Sequence, residues 1–331
     1  MLAAAAGTVT AAIPRLLVFS GQPAGIYRHD GIDYALNLMK TLAPKAGFAY
    51  DTSTDFSVFT DANLSKYQAI LMNCNCRETR MITPAGRAAL EKFIHNGGGW
   101  AGTHCAAALD LDINWPWYTS LLGAVHRHHT DGSQPGVLRV EDHVHSSTAH
   151  FTSNTWNISK EELYFYLKDP VPAWKPDTRL PKVNVLLTFV SWGNGQTKPP
   201  AGNKADSSEM GALAWYHEFE GGRSWYSGLG HEKWLFSDSL YIKHLMGGLK
   251  YVLKSDGTTT ARDQARLRPK GDAAETWIGA FQASSASPFA GPGPLHGYRV
   301  FDIQGSRLRE LESGSESPAA AFRIGIGVPH E

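Results

Sequence analysis

Histidine is the residue type in this chain best suited to chemistry: 12 of its 14 histidines precede residue 255. They fall at His29, His104, the His126/His128/His129 group, His143/His145 and His231, mostly where apolar runs end. Imidazole transfers protons near neutral pH and binds zinc-like metals. A single histidine is more often a capping or surface residue, so function requires several to converge. No His-x-x-x-His spacing is present, so any shared site must draw its ligands or bases from separate loops. The three cysteines are too few for a disulfide framework. Cys74 and Cys76 stand too close in an apparent strand to bridge easily, and a lone Cys-x-Cys reads as packing rather than a metal pair.

The elements that must position these groups follow from the apolar pattern. Arg15 to Ser20 reads as a buried strand feeding the loop that holds His29. From Asp30 or Gly31 a helical face of Ile32, Ala35, Leu36, Met39 and Leu42 runs until Pro44 and Gly47 stop it. Phe48 to Ser53 and Tyr67 to Asn73 are further strands. Thr83 can cap a helix in which Pro84 sits in the first turn, Gly97-Gly98-Gly99 ends that helix, and Trp100 to Thr103 is a fourth strand. This alternation predicts a doubly wound, mainly parallel α/β sheet, with ligands at the strand C-termini marked by Ser20, Asn73 and His104. The glycine triplet precedes a strand and presents no helix N-terminus, which argues against a phosphate loop.

His104 is the strongest single candidate. It closes Gly102-Thr103-His104 and is followed by Cys105 and three alanines, the small residues a tight strand-to-helix elbow demands. His231 follows Trp225-Tyr226-Ser227-Gly228-Leu229-Gly230, where glycines permit close backbone approach. Further strands are expected at Val185 to Trp192, Gly211 to His217 and Arg223 to Gly228, with a last helix over Ser237 to Leu253. Trp115, Trp117, Tyr118, Tyr164, Trp192 and Trp234 are read as loop aromatics, of which about two are expected to line a pocket.

Lys+Arg and Asp+Glu both number 31, so the formal net charge is zero; no electrostatic footprint for nucleic acid or an anionic membrane exists. The apolar runs Ile70 to Met72 and Val183 to Val190 are too short to span a bilayer. Met1 to Ala12 lacks a leading Lys or Arg and reads as a frayed leader, a cleaved secretory signal being the alternative, and the cytoplasm is the expected compartment. The organisation is thus a leader over 1–14, an α/β domain over 15–254, and a Pro/Gly/Ser-rich, partly disordered extension over 255–331.

The segments Tyr27-Arg28-His29-Asp30, Val58-Phe59-Thr60, Gly97-Gly98-Gly99, Gly102-Thr103-His104, Trp115-Pro116-Trp117-Tyr118, Leu122-Gly123, Glu161-Glu162-Leu163-Tyr164 and Gly228-Leu229-Gly230-His231 resemble, in order and spacing, the ThuA-like trehalose-utilisation family from about residue 15 to 253. The resemblance implies a flavodoxin-like fold of the class I glutamine amidotransferase type. Such an amidotransferase carries a cysteine at the elbow and a late histidine followed two residues on by glutamate. Here the elbow holds His104, and Lys233 stands two residues after His231, with Glu232 between. Cys105, one place past the apex, is expected to point elsewhere, which disfavours a Cys105-dependent amidase.

Carried over by position, the family's polar residues fall on His29, His104, His129, Glu162 and His231. His129 matches a histidine-proline pair of the family, although Thr130 replaces the proline and His126 and His128 stand nearby. His145 matches another, in a setting that reads equally as a turn. The resemblance implies catabolism of a small carbohydrate, beside a dehydrogenase that oxidises a glucosyl unit to its 3-keto form. A 3-ketone acidifies the C2 proton, so an enolate can expel the C1 substituent without the usual carboxylate pair. His104, His231 and Glu162 are the catalytic candidates, and His29, Trp117, Tyr118 and Tyr164 the substrate-binding ones. His29, His104, His129 and His231 are candidate ligands for a divalent metal, zinc or manganese; the same groups acting metal-free is an open alternative. A non-catalytic sugar-binding accessory role, and assembly as a homo-oligomer, are the remaining expectations.

Overall fold

The computed structural model describes residues 13–109, 115–124, 126–166, 183–193, 211–257, 298–301, 307–310 and 328–329. Two compact units divide the chain, Met1–Leu267 and Arg268–Glu331. The strands of the first are β1 (Arg15–Phe19), β2 (Ala49–Ser53), β3 (Ala69–Asn73), β4 (Gly99–Thr103), β5 (His126–His129), β6 (Gln134–Val140), β7 (Thr155–Glu161), β8 (Tyr164–Tyr166), β9 (Asn184–Trp192), β10 (Ala212–Phe219) and β11 (Gly222–Ser227). Its helices are α1 (Gly31–Ala46), the single turn α2 (Asp61–Leu64), α3 (Pro84–His95), α4 (Pro116–Leu122) and α5 (Ser239–Val252).

Nine of these strands form one sheet of order β2-β1-β3-β4-β11-β10-β9-β6-β7. The first five are mutually parallel; β10, β9, β6 and β7 extend the sheet antiparallel. Because β1 lies between β2 and β3, the chain leaves it toward opposite flanks, which opens a crevice at the strand C-termini. A separate antiparallel ribbon pairs β5 with β8.

Strand alternation feeds two cores, as a doubly wound sheet requires. Leu16, Val18, Ala69, Leu71 and Ala101 pack with Ala35 and Met39 of α1 and Leu245 and Leu249 of α5. Leu17, Phe19, Ile70, Met72 and Trp100 pack on the other face with Leu90 and Ile94 of α3 and Leu121 and Leu122 of α4. Helix α5 reaches the sheet through glycine: a Cβ on Gly248 would lie 2.2 Å from Trp225.

The predicted starts and stops hold with one correction. The Thr83 hydroxyl accepts from Gly86 N at 3.1 Å, with Pro84 in the first turn. Helix α1 ends at Gly47, which adopts a left-handed φ of 82°, but Pro44 lies inside its last turn. Proline removes only its own N–H donor, so the chain continues helically beyond it for two more residues before glycine turns it. The antiparallel extension was not foreseen. Of the leader, residues 1–12 lie outside the described residues, as does most of 255–331; in the second unit, Tyr298–Phe301, Arg307–Glu310 and Val328–Pro329 form a small antiparallel sheet. No helix among the described residues is long and apolar enough to cross a membrane.

One buried acid ties the second core to the strand edge. Glu78, fully buried after β3, accepts the Tyr118 hydroxyl at 2.8 Å. Its other oxygen has no protein partner among the described residues, and burial pushes its carboxyl up to about 8. A carboxyl whose pKa is higher folded than unfolded stabilises the fold fully below about pH 4.5, and that contribution declines until pH passes 8. Glu78→Gln is therefore expected to gain stability relative to wild type between pH 5 and 8, by up to about 1.4 kcal/mol per pH unit. Urea midpoints of the two proteins at several pH values check this; a constant difference would contradict it.

Candidate functional site

The crevice at the C-terminal ends of β1, β3, β4 and β11 gathers the histidines. Asn73, at the end of β3, donates from Nδ2 to the Ser20 hydroxyl at 3.1 Å and to Ile32 O at 3.2 Å, joining the β3 end to the loop after β1 and the start of α1. His29 lies just before α1 and is 6% exposed. His104 is the first residue after β4, wholly buried, with φ at 44°. This left-handed conformation, costly for a non-glycine residue, is the elbow expected from the small residues after it. His231 follows β11, and Glu162 lies between β7 and β8.

The rings meet edge to face: His29 is centred 5.1 Å from His104 and 5.0 Å from His231. His104 Nδ1 lies 3.0 Å from the carbonyl of Gly228, which can only accept, so Nδ1 carries the proton. The unprotonated Nε2 of the neutral ring then lies 3.2 Å from Glu162 Oε2 and 3.3 Å from His231 Nδ1. Glu162 Oε2 is also 3.5 Å from His231 Nδ1, and its Oε1 is 3.1 Å from His129 Nδ1. His29, His104, Glu162 and His231 each offer one ligand atom, all within 4.8 Å of one another.

Electrostatics follows this arrangement. Burial pushes the Glu162 carboxyl up, but the contacts with the surrounding imidazoles outweigh it and hold the group well below the usual carboxylate range. Burial and the neighbouring imidazoles press His29 down to about 3. His104 is also lowered by burial, against the pull of Glu162. His129 is raised chiefly by its bond to Glu162. His231 is raised because Glu162 overcomes its partial burial.

Among the predicted residues, His29, His104, Glu162 and His231 are thus brought together. His129 reaches the outer oxygen of Glu162 but stands apart from the four-residue set; His126 and His128 pack instead on Tyr164 and Phe165. Tyr164 lies against His104, ring centres 4.3 Å apart. Tyr118 and Trp117 are not brought to the crevice. They lie on a helix rather than a loop, Tyr118 fully buried on Glu78 and Trp117 donating to Glu220, which precedes β11 at the opposite sheet edge. Trp115 packs in the same core and Trp192 is buried at the end of β9. His145 sits in a turn whose amides are capped by Asp142. The sulfur of Cys105, expected to point away from the elbow apex, bonds to Cys76 rather than standing as a free thiol. This pairing was not anticipated, and Cys74 is the free cysteine.

Glu161 is the residue that sequence reasoning missed. Fully buried, it accepts N–H bonds from Gly230 at 3.1 Å, His231 at 2.8 Å and Glu232 at 3.2 Å. It holds the His231 loop by its backbone; burial pushes its carboxyl up, and those three amides pull it down against that push. The doublet Glu161-Glu162 was visible, but a register shift between Gln134 and Gly136 on the paired strand breaks the alternation that would assign each its face. Glu161→Gln leaves a donor facing these amides and is expected to cost about 1–3 kcal/mol. Amide exchange at residues 230–232 should accelerate; urea unfolding and hydrogen exchange measure the two effects, and unchanged values would refute the anchoring role.

A family model described as ThuA, trehalose utilisation, matches residues 15–252. The fold is similar to a ThuA-like protein from Bacteroides uniformis, with TM-score 0.59, 26% identity and coverage of 77% of this chain and 97% of that one. A ThuA-like protein from Parabacteroides merdae aligns with TM-score 0.51 and 16% identity, covering 75% of this chain and 93% of that one. No protein of curated function matches the sequence.

Proposed function

The chain belongs to the ThuA family of trehalose utilisation over residues 15–252, a family of carbohydrate metabolism, and we propose that it is an enzyme cleaving a glycoside at the 3-keto-sugar stage. Its site is the His29, His104, Glu162 and His231 cluster, holding a divalent metal, zinc or manganese. The observation that carries this reading is the contact between His104 Nε2 and Glu162 Oε2 at 3.2 Å. With Nδ1–H committed to Gly228 O, that contact sets a lone pair against a carboxylate oxygen, an arrangement that calls for a cation. A ring whose second nitrogen donates to a backbone carbonyl is also how metal-ligating histidines are oriented.

A divalent ion held by these groups supplies a Lewis acid for a carbonyl or hydroxyl oxygen of the sugar. The protein's own groups handle the protons. His231 Nδ1 and His129 Nδ1 contact the two oxygens of the same Glu162 carboxylate. Both imidazoles are partly exposed, at 23% and 47% of the side chain. His129, which stands outside the ligand set, removes the C2 proton next to the ketone and returns it to the departing C1 oxygen, with Glu162 orienting its ring. Tyr164 closes the inner wall against His104. The 3-keto substrate must be supplied by a sugar-oxidising dehydrogenase, and the reading places the protein with it in the cytoplasm.

Elemental analysis of gently purified protein is expected to find near-stoichiometric zinc or manganese in wild type and almost none in His104→Ala. Glu162→Gln should lower release of reducing sugar from a 3-keto-glucoside by about 10²-fold or more, with circular dichroism unchanged. Metal-free wild type would overturn the metal assignment. Sugar binding with no turnover of any 3-keto-glycoside would replace catalysis by an accessory role.

A further inference from the structure

We propose that Cys76, Cys105 and His29 form a second, thiolate-type metal site, closed in this structure by the Cys76–Cys105 disulfide and opened by its reduction. The inference rests on these three residues and not on the sugar chemistry. Cys76 lies in the loop after β3, and Cys105 directly follows the elbow histidine of β4. Their Cα atoms are 4.9 Å apart, and the sulfurs are bonded. His29 Nδ1 lies 3.8 Å from Cys76 Sγ, and the ligand atoms of all three fall within 4.8 Å of one another. Two sulfurs and one imidazole are a donor set suited to zinc-like or softer ions, three donors of the four a tetrahedral ion takes.

The backbone holds the sulfurs together independently of their bond. Arg77 N donates to Ala108 O at 3.2 Å, and Cys74 N donates to the Thr103 hydroxyl at 3.1 Å. These bonds lash the β3 loop to the elbow on either side of the sulfurs. Left-handed residues at Cys74, Arg77 and His104, with φ of 53°, 55° and 44°, turn the two loops toward each other. Reduction therefore removes a covalent bond without releasing the loops that carry it. Cys76 and Cys105 are 6% and 3% exposed and border an apolar group of Ile32, Ile26 and Ala108, so few outside ligands compete for an ion bound there.

The chemistry balances with a thiol reductant. Two electrons and two protons convert the disulfide into two thiols while the reductant forms its own disulfide. A divalent ion then displaces the two protons and binds two thiolates and the imidazole. A reducing compartment favours the open dithiol form and an oxidising one the disulfide. His29 belongs to both sets of ligands, so the redox state of the cysteines bears on the histidine cluster through one shared ring.

Cobalt(II) added to the full-length protein tests this directly, because sulfur-to-cobalt charge transfer absorbs strongly in the near ultraviolet and nitrogen or carboxylate ligation does not. Oxidised wild type should titrate as one thiol, Cys74, and anaerobic reduction should raise the count to three. The reduced protein is expected to show the charge-transfer band and to bind Co2+ about 10–100-fold more tightly than Cys76→Ser or Cys105→Ser. The oxidised protein, a control that needs no substitution, should lack the band while still giving the weak visible absorption of any cobalt on histidine and carboxylate. Failure of the histidine cluster to hold metal would remove only that weak absorption. Reduced wild type without the band, or a band that survives both substitutions, would overturn the proposal. Three thiols before any reductant is added would overturn its closed state.

Discussion

The hydrogen bond from His104 Nδ1 to the carbonyl of Gly228 at 3.0 Å decides which nitrogen of the central imidazole is free for chemistry. It exists because β4 and β11 are parallel neighbours, with Thr103 opposite Ser227. The elbow after one strand and the glycine turn after the other thus leave the sheet at the same level. Tyr226, in β11, adds a bond from its hydroxyl to the His104 carbonyl at 2.7 Å. A left-handed conformation at a non-glycine residue costs about 1–3 kcal/mol, and these two bonds offset much of it. A serine or cysteine at the apex would lack a second polar atom to anchor on the neighbouring strand while the first faces the crevice. Histidine has two, which is why this scaffold accepts it there.

Glu161 and Glu162 resolve the same problem, a carboxylate withdrawn from water, in opposite ways. Glu161 is sealed behind the His231 loop and satisfied by three successive amides, which fix a backbone and leave no atom for catalysis. Glu162 is contacted by imidazoles, of which His129 and His231 can lose or gain the proton they share with it. One carboxylate therefore shapes the loop that carries His231, while its neighbour couples His231 to His104 and His129. His29 completes the arrangement as a ring held neutral by burial and by the imidazoles around it, with its lone pair available to a cation.

Much of the parallel half was legible because its signals are local. The run Leu16 to Phe19 is apolar on both faces, Thr83-Pro84 announces a helix start, and small residues after His104 announce an elbow. The antiparallel half was not, because alternation in β6, β7, β9 and β10 says which side is buried but not which strand lies alongside. Trp117 and Tyr118 were read as loop residues near the site. Yet Pro116 opens a helix whose Leu121 carbonyl accepts the Ser224 hydroxyl of β11, carrying Trp117 to the far edge. The Cys76–Cys105 pairing spans 29 residues and depends on left-handed turns at Cys74, Arg77 and His104. Spacing alone does not contain that information. Four of the five histidine and glutamate positions carried over from the family resemblance meet within one cluster, and the fifth, His129, touches its edge.

The separation between the two outer histidines is set by a contact that involves neither ring. A Cβ on Gly31, at the start of α1, would lie 2.0 Å from the Gly230 carbonyl. The absence of a side chain therefore lets α1 seat directly against the glycine turn after β11. His29 lies two residues before that contact and His231 one residue after it, which places their rings 5.0 Å apart. Any larger residue at Gly31 must push the helix or the turn outward and open the cluster, whatever the histidines themselves do. The same holds for Gly230, whose φ of 133° turns the chain so that its amide and that of His231 both face Glu161. Backbone approach sets how close the histidines come, and their side chains determine what can be held between them.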